Sequence, residues 1–145
     1  MIIYDLSKVP ALVHAQILAD PKYTKWFSEF PKKLLNIDNP KTVKGEKYGT
    51  RTAVLYGSPA ETSGVNMCAM YKAAGCGDAC LNTAGRGAMS SVQMSRLRKT
   101  LFLLQYWDDF KAMLMREIET HAKYCRKHDY KCAVRLNGTT DIRWE

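Results

Sequence analysis

Apolar residues recur along this chain in two rhythms, separated by polar and glycine-rich punctuation. Phe110, Leu114, Ile118, His121 and Cys125 fall at i, i+4, i+8, i+11 and i+15. That is one stripe of a 3.6-residue repeat, and it predicts a helix running to about Lys127. Asp108 or Asp109 is expected to cap it, with Trp107 placed as a staple. Upstream, Leu97, Leu101 and Leu104 mark the apolar face of another helix, expected to start at Ser90 or Ser91 and to reach about Tyr106. Arg96 and Lys99 lie off that face. Two short β-prone runs flank this pair of helices, at 52–56 and 132–136. Their near-continuous apolar character suits strands buried on both faces.

The first thirty residues read as helical. Leu12, Ala15 and Ala19, with Ile17 and Leu18, predict a helix over 9–19 with Pro10 in its first turn. Asp20-Pro21 stops it. Residues 22–30 carry Tyr23, Trp26, Phe27 and Phe30 in a second short helix closed by Pro31. Asn39-Pro40, Gly45 and Gly49 then mark an irregular, lysine-rich connection.

Strand, two helices, strand is the pattern of a parallel crossover. The expected fold is therefore α/β. A parallel β-α-β core spans 40–145 and follows a helical lead-in over 1–35, as a single domain or the amino-terminal part of a larger one. The same arrangement is how a β/α barrel-like fold begins. Both strands run the same way, so the segments leaving their carboxyl ends share one edge, where such folds place their sites. The cysteine-bearing segment after the first strand and Asn137-Gly138-Thr139-Thr140-Asp141 after the second are expected to converge there.

Composition narrows the class. With 145 residues, 46% apolar and 25% charged, the chain is not a disordered or collagen-like sequence. No window approaches the roughly 18 unbroken apolar residues of a membrane span. The start, Met-Ile-Ile-Tyr-Asp, has no basic region followed by an apolar stretch, so the expected compartment is the cytosol. Lys and Arg number 22 against 14 Asp and Glu, a net charge of +8. That balance favours polyanionic partners, nucleic acid first, with Tyr48, Trp107 and Tyr124 as aromatics among basic residues. A solvated basic surface accounts for the charge equally well, because the basic residues are scattered.

The cysteines carry the sharpest chemical signal. They are Cys68, Cys76, Cys80, Cys125 and Cys132, an odd count that fits a disulfide framework poorly. Cys68, Cys76 and Cys80 form C-x7-C-x3-C among glycines and alanines such as Gly64, Gly75 and Gly77, small enough for backbone to wrap a centre. Thiolates at such spacing point to zinc or an iron–sulfur cluster, with one position left for another ligand. The competing reading is a tight loop of small buried residues. Cys125 on the apolar helix face and Cys132 at a strand start are expected in the core, as is His121; His14 and His128 look peripheral.

Asn82-Thr83-Ala84-Gly85-Arg86-Gly87 leads into a helix, where glycines expose backbone N–H groups and Arg86 adds charge for an anion; a plain turn is the alternative. Arg135, Asn137, Asp141 and Glu145 crowd the end of the second strand. Arg135 is expected to pair with Asp141 or Glu145. Arg86, Asn137 and Asp141 are the expected contacts to a bound anion or substrate.

Lys44-Gly45-Glu46-Lys47, then Cys76 to Cys80 with Leu81-Asn82-Thr83-Ala84-Gly85-Arg86-Gly87, then Arg135-Leu136-Asn137-Gly138-Thr139-Thr140-Asp141-Ile142 with Trp144-Glu145, resemble an uncharacterised family of tailed-bacteriophage proteins. The likeness covers about residues 40–145. It implies a phage origin and the cytoplasm of an infected bacterium, and no particular reaction. Members of that family continue beyond the Asn-Gly-Thr block, so the chain resembles their amino-terminal part. A fold-level analogy links the three-cysteine loop to radical-SAM barrels, but the spacing departs from their C-x3-C-x2-C and their Gly-Gly-Glu is absent. Three functions are expected from these readings. The first is a metal or iron–sulfur protein using Cys68, Cys76 and Cys80. The second is a basic nucleic-acid-binding protein. The third is an interaction protein that blocks a host defence complex.

Overall fold

A computed structural model describes residues 1–76, 80 and 82–144. The lead-in forms helices α1 (Ala11–Ala19) and α2 (Pro21–Trp26), with Pro at the start of α2 and Asp20 accepting from the Lys22 N–H as its cap. A two-residue strand, β1 (Leu35–Asn36), follows, then a short helix α3 (Pro40–Val43) capped by Asn39 and continued by a 3-10 turn. Strand β2 (Thr50–Leu55) leads into the cysteine-bearing loop. Helices α4 (Ser90–Gln105) and α5 (Trp107–Lys127) then cross back to strand β3 (Lys131–Arg135).

β2 and β3 pair in parallel, from Thr50 opposite Lys131 to Val54 opposite Arg135. The β-α-β crossover expected from the sequence is thus present. β1 adds on the far side of β2, antiparallel, giving a mixed sheet in the order β1-β2-β3. Among the described residues the sheet has three strands, and no barrel is shown. β2 is buried in its second half, as an all-apolar run requires, but β3 is half-exposed and not buried on both faces.

Helix boundaries differ from the sequence expectation at the caps. Met89 precedes α4 and Tyr106 precedes α5, neither with a capping side chain; Asp108 and Asp109 instead lie in the first turn of α5, where negative charge favours the helix. The predicted stripe of α5 faces the core at Phe110, Leu114, His121 and Cys125. Leu104 is exposed, whereas Arg98 and Lys99 are buried. Arg98 reaches the Glu29 and Phe30 carbonyls, which fastens the end of the lead-in to α4. The core unites both parts of the chain: Ile17, Phe27 and Leu34 are fully buried beside Phe102 and Phe110. Phe102 and Phe110 meet edge-on with centroids 5.7 Å apart, and Trp144 stacks on Phe110.

The chain after β3 presses against the end of β2 at Gly138, whose N–H donates to the Leu55 carbonyl at 2.9 Å. A Cβ there would stand 2.7 Å from that carbonyl oxygen and 2.6 Å from the Tyr56 ring. Gly138→Ala is expected to destabilise the protein by about 1–3 kcal/mol, the usual range for overpacking. Urea denaturation of the two proteins checks this, and equal midpoints would refute it.

Candidate functional site

β2 leaves the sheet at Leu55, and the chain turns through Gly57 and Ser58 beneath α4, where the Ser58 N–H donates to Thr100 Oγ1 at 2.8 Å. The loop returns to the sheet edge at Met67–Cys68. There Cys68 forms a parallel bridge with Asp141, and the Asp141 N–H donates to the Met67 carbonyl at 3.0 Å. The two segments expected to converge at the strands' carboxyl edge therefore do so. They enclose a cavity of about 300 Å³ walled by Cys68, Cys76 and Cys80 together with Pro59, Tyr71 and Asp141. Cys68 is half-buried, and its Sγ accepts from the Ala60 N–H at 3.2 Å and stands 3.9 Å from the Thr139 carbonyl. Cys76 is exposed, with Sγ 3.7 Å from the Tyr71 carbonyl, and Cys80 is half-buried. Gly77 and Glu145 lie outside the described residues.

A tighter set of ligand-bearing groups lies elsewhere. Atoms of His121, Cys125 and Cys132 all fall within 4.8 Å of one another, where α5 ends and β3 begins. His121 and Cys125 are buried, as their places on the helix stripe require; Cys132 is exposed rather than in the core. Burial, and secondarily the Cys132 thiol, pushes the Cys125 thiol above its ordinary pKa. His121 Nε2 stands 3.2 Å from both the Arg51 and the Ala133 carbonyl oxygens, so this nitrogen is placed as a shared N–H donor between β2 and β3. The sequence signal for this set was His-x3-Cys on one helix face. Sequence reasoning assigned it to packing because core histidines and cysteines show the same spacing.

Arg86, Asn137 and Asp141 do not share one site. Arg86 lines a separate cavity of about 390 Å³ with Tyr56, Ser91, Arg96 and Lys99, on the other side of the β2 exit. Asn137 organises the tail: its Oδ1 accepts from Thr140 Oγ1, the Ile142 N–H and Trp144 Nε1, and its Nδ2 donates to the Ile142 carbonyl. Arg135 is exposed and donates to the Asn137 carbonyl at 2.9 Å, not to Asp141; its other expected partner, Glu145, is outside the described residues. Tyr48, Trp107 and Tyr124 are all exposed, and the Arg51 guanidinium lies over the Tyr124 ring at 4.1 Å.

Lys99 was not expected in a site. Its ammonium is buried and donates to the Leu34 carbonyl at 2.7 Å and to Asn36 Oδ1 at 3.0 Å. Burial lowers its pKa to about 8, against the pull of the Glu117 and Asp38 carboxylates, while Lys33 and Arg96 push it the same way as burial.

These features define an α/β protein with a cysteine-lined cavity at the carboxyl edge of a parallel strand pair. The gene product 88 family model matches residues 32–145, and the chain belongs to that family. The resemblance to an uncharacterised phage family, drawn from the three sequence blocks, is thereby upheld, whereas the analogy to radical-SAM barrels gains no support. No curated protein and no solved structure matches the chain. Among the described residues, no helix is long and apolar enough to cross a membrane.

The low pKa of Lys99 has a signed consequence. The unfolded chain holds this proton up to the ordinary lysine value of 10.5, and the folded protein releases it from about 8. Folding is thus penalised below pH 8, and the penalty is relieved as pH rises from 8 towards 10.5. Lys99→Met is expected to remove this contribution. Denaturant midpoints measured from pH 7 to 10 should show the wild type gaining stability relative to the variant as pH rises. A constant difference between the two would overturn the assignment.

Proposed function

We propose that the protein binds a thiophilic metal, zinc or an iron–sulfur cluster, in the cavity at the carboxyl edge of β2 and β3. One observation carries the reading: Cys68, Cys76 and Cys80 come from separate turns of one loop and wall the same space, beside Asp141. The chemistry of the donors agrees. The Cys68 sulfur lies at the cavity wall, held in place by the Ala60 N–H at 3.2 Å. Three thiolates leave a fourth position for the exposed Asp141 carboxylate, for water or for a substrate. The cavity is open to solvent through Cys76, which provides an entry path.

The mutual proximity of His121, Cys125 and Cys132 favours a second reading, with the metal held at the junction of α5 and β3. Zinc bonds of about 2.0–2.3 Å to nitrogen and sulfur require only a modest contraction of this group. Two features weigh against it. A metal on His121 Nε2 must displace the proton that two carbonyls share, and the Cys125 thiol must ionise in an apolar setting.

Anaerobic purification of untagged protein, followed by iron, sulfide and zinc analysis, separates the two readings. Stoichiometric metal is expected in the wild type and in Cys125→Ser/Cys132→Ser, and its loss is expected in Cys68→Ser/Cys76→Ser/Cys80→Ser. The opposite pattern moves the centre to the helix end. Wild-type protein that stays metal-free, even after incubation with zinc or with iron and sulfide, refutes both.

A further inference from the structure

A second cavity, sharing no lining residue with the sulfur-lined one, is built for an anion. It lies between β1, the exit of β2 and the first turns of α4. Three cationic side chains line it, Arg86, Arg96 and Lys99, against the single carboxylate of Asp38. Among the described residues, no carboxylate comes within ion-pair distance of any of the three. Lys99 is only 8% exposed, yet its partners, a backbone carbonyl and an asparagine amide oxygen, are both neutral. Arg96 is half-buried; it donates to the neutral Asn82 Oδ1 at 2.9 Å, and its Nε is buried with no partner. Burying a cation without a counter-charge is costly, and the usual remedy is a paired anion. Among the described residues, none supplies one at either position.

The remaining walls suit the same ligand. α4 is a 16-residue helix with no capping side chain at its N-terminus, and Ser91 in its first turn lines the cavity. The positive end of the helix dipole adds to the three cations. Tyr56 supplies an aromatic wall beneath Arg96, whose guanidinium lies 5.6 Å from the ring centroid. A compact, multiply charged oxyanion answers a guanidinium pair, an ammonium and a helix N-terminus together.

We propose that this cavity binds a phosphoryl group, with Arg86, Arg96 and Lys99 as its cationic contacts beside the first turns of α4. A volume of about 390 Å³ accommodates a group of mononucleotide size, so the phosphate can belong to a free nucleotide or to the end of a nucleic-acid strand. The proposal does not rest on the metal reading: the two cavities share no lining residue, although Arg96 lies within electrostatic reach of Cys80.

The test is a low-salt titration of the full chain, followed by calorimetry and by phosphorus NMR linewidth. Inorganic phosphate, adenosine monophosphate, and a single-stranded oligonucleotide with or without a 5′-phosphate are the probes. Saturable binding of phosphate or the mononucleotide is expected, weakened at least about tenfold by Arg96→Gln and by Arg86→Gln. Arg86 is exposed, so its replacement leaves the fold intact even if the Arg96 variant misfolds. Tighter binding of the mononucleotide identifies a free nucleotide as the source, and a preference for the 5′-phosphorylated strand identifies a strand end. The proposal fails if neither phosphate nor mononucleotide binds at millimolar concentration, or if Arg86→Gln binds as the wild type does. It also fails if phosphate and mononucleotide binding do not saturate while the oligonucleotide binds equally with and without its 5′-phosphate, since that describes a diffuse basic surface.

Discussion

Two parallel strands must discharge their chains at the same edge of a sheet, and the rest of this molecule follows from that constraint. The β2–β3 register runs over five residues of each strand, and the α4–α5 hairpin provides the crossover it requires. Once the pairing is fixed, the chains continue side by side from the Val54–Arg135 pair, through Leu55 and Leu136. The long loop after β2 and the short tail after β3 then become neighbours, despite their separation in sequence. Gly138 lets the tail lie against the Leu55 carbonyl, and the Cys68–Asp141 bridge extends the parallel pairing outward. Any chemistry at the cysteine cavity depends on this chain of contacts, not on the cysteines alone.

The small strand β1 shows a different device. It has two residues and is too short to hold itself to the sheet by ladder bonds alone. Charged side chains from both crossover helices secure it. Glu117 of α5 accepts from the Leu34 and Leu35 N–H groups, each at 2.8 Å, while Lys99 of α4 donates to the Leu34 carbonyl and the Asn36 side chain. Acceptor and donor thus serve opposite ends of the same backbone units. Charge-assisted bonds of this kind are stronger than neutral ones, which compensates for the missing length of ladder. The arrangement brings a buried ammonium to the wall of the basic cavity. The same lysine therefore links the architecture of the sheet to its electrostatics.

What could be read from sequence divides along the same lines. The helix stripe from Phe110 to Cys125, the apolar run of β2 and the β-α-β order each depend on local periodicity, and each was legible. Convergence of the cysteine loop with residues 137–141 was legible too, because it follows from strand direction alone. β1 was not, since two residues carry no period and its partners Glu117 and Lys99 are more than sixty residues away. Lys99 lay off the predicted apolar face, and sequence cannot show that a carbonyl needs a donor there. The separation of Arg86 from Asp141 was hidden for a related reason. Arg86 lies in the turn before α4, and nothing local in the sequence says that this turn lines a cavity with Tyr56 and not the cysteine loop.

The distribution of the cysteines sharpens the chemical argument. All five are free thiols, but their surroundings differ in what they favour. Cys125 is fully buried, and its environment holds the proton on sulfur. Cys68 sits at a sheet edge with a backbone N–H aimed at its sulfur, and Cys76 is open to water. Proximity ranks the helix-end trio first, whereas solvent access ranks the loop trio first, and a metal reaches its ligands only through water. At the end of α5, a metal on His121 Nε2 would have to replace the contacts of that nitrogen with the Arg51 and Ala133 carbonyls.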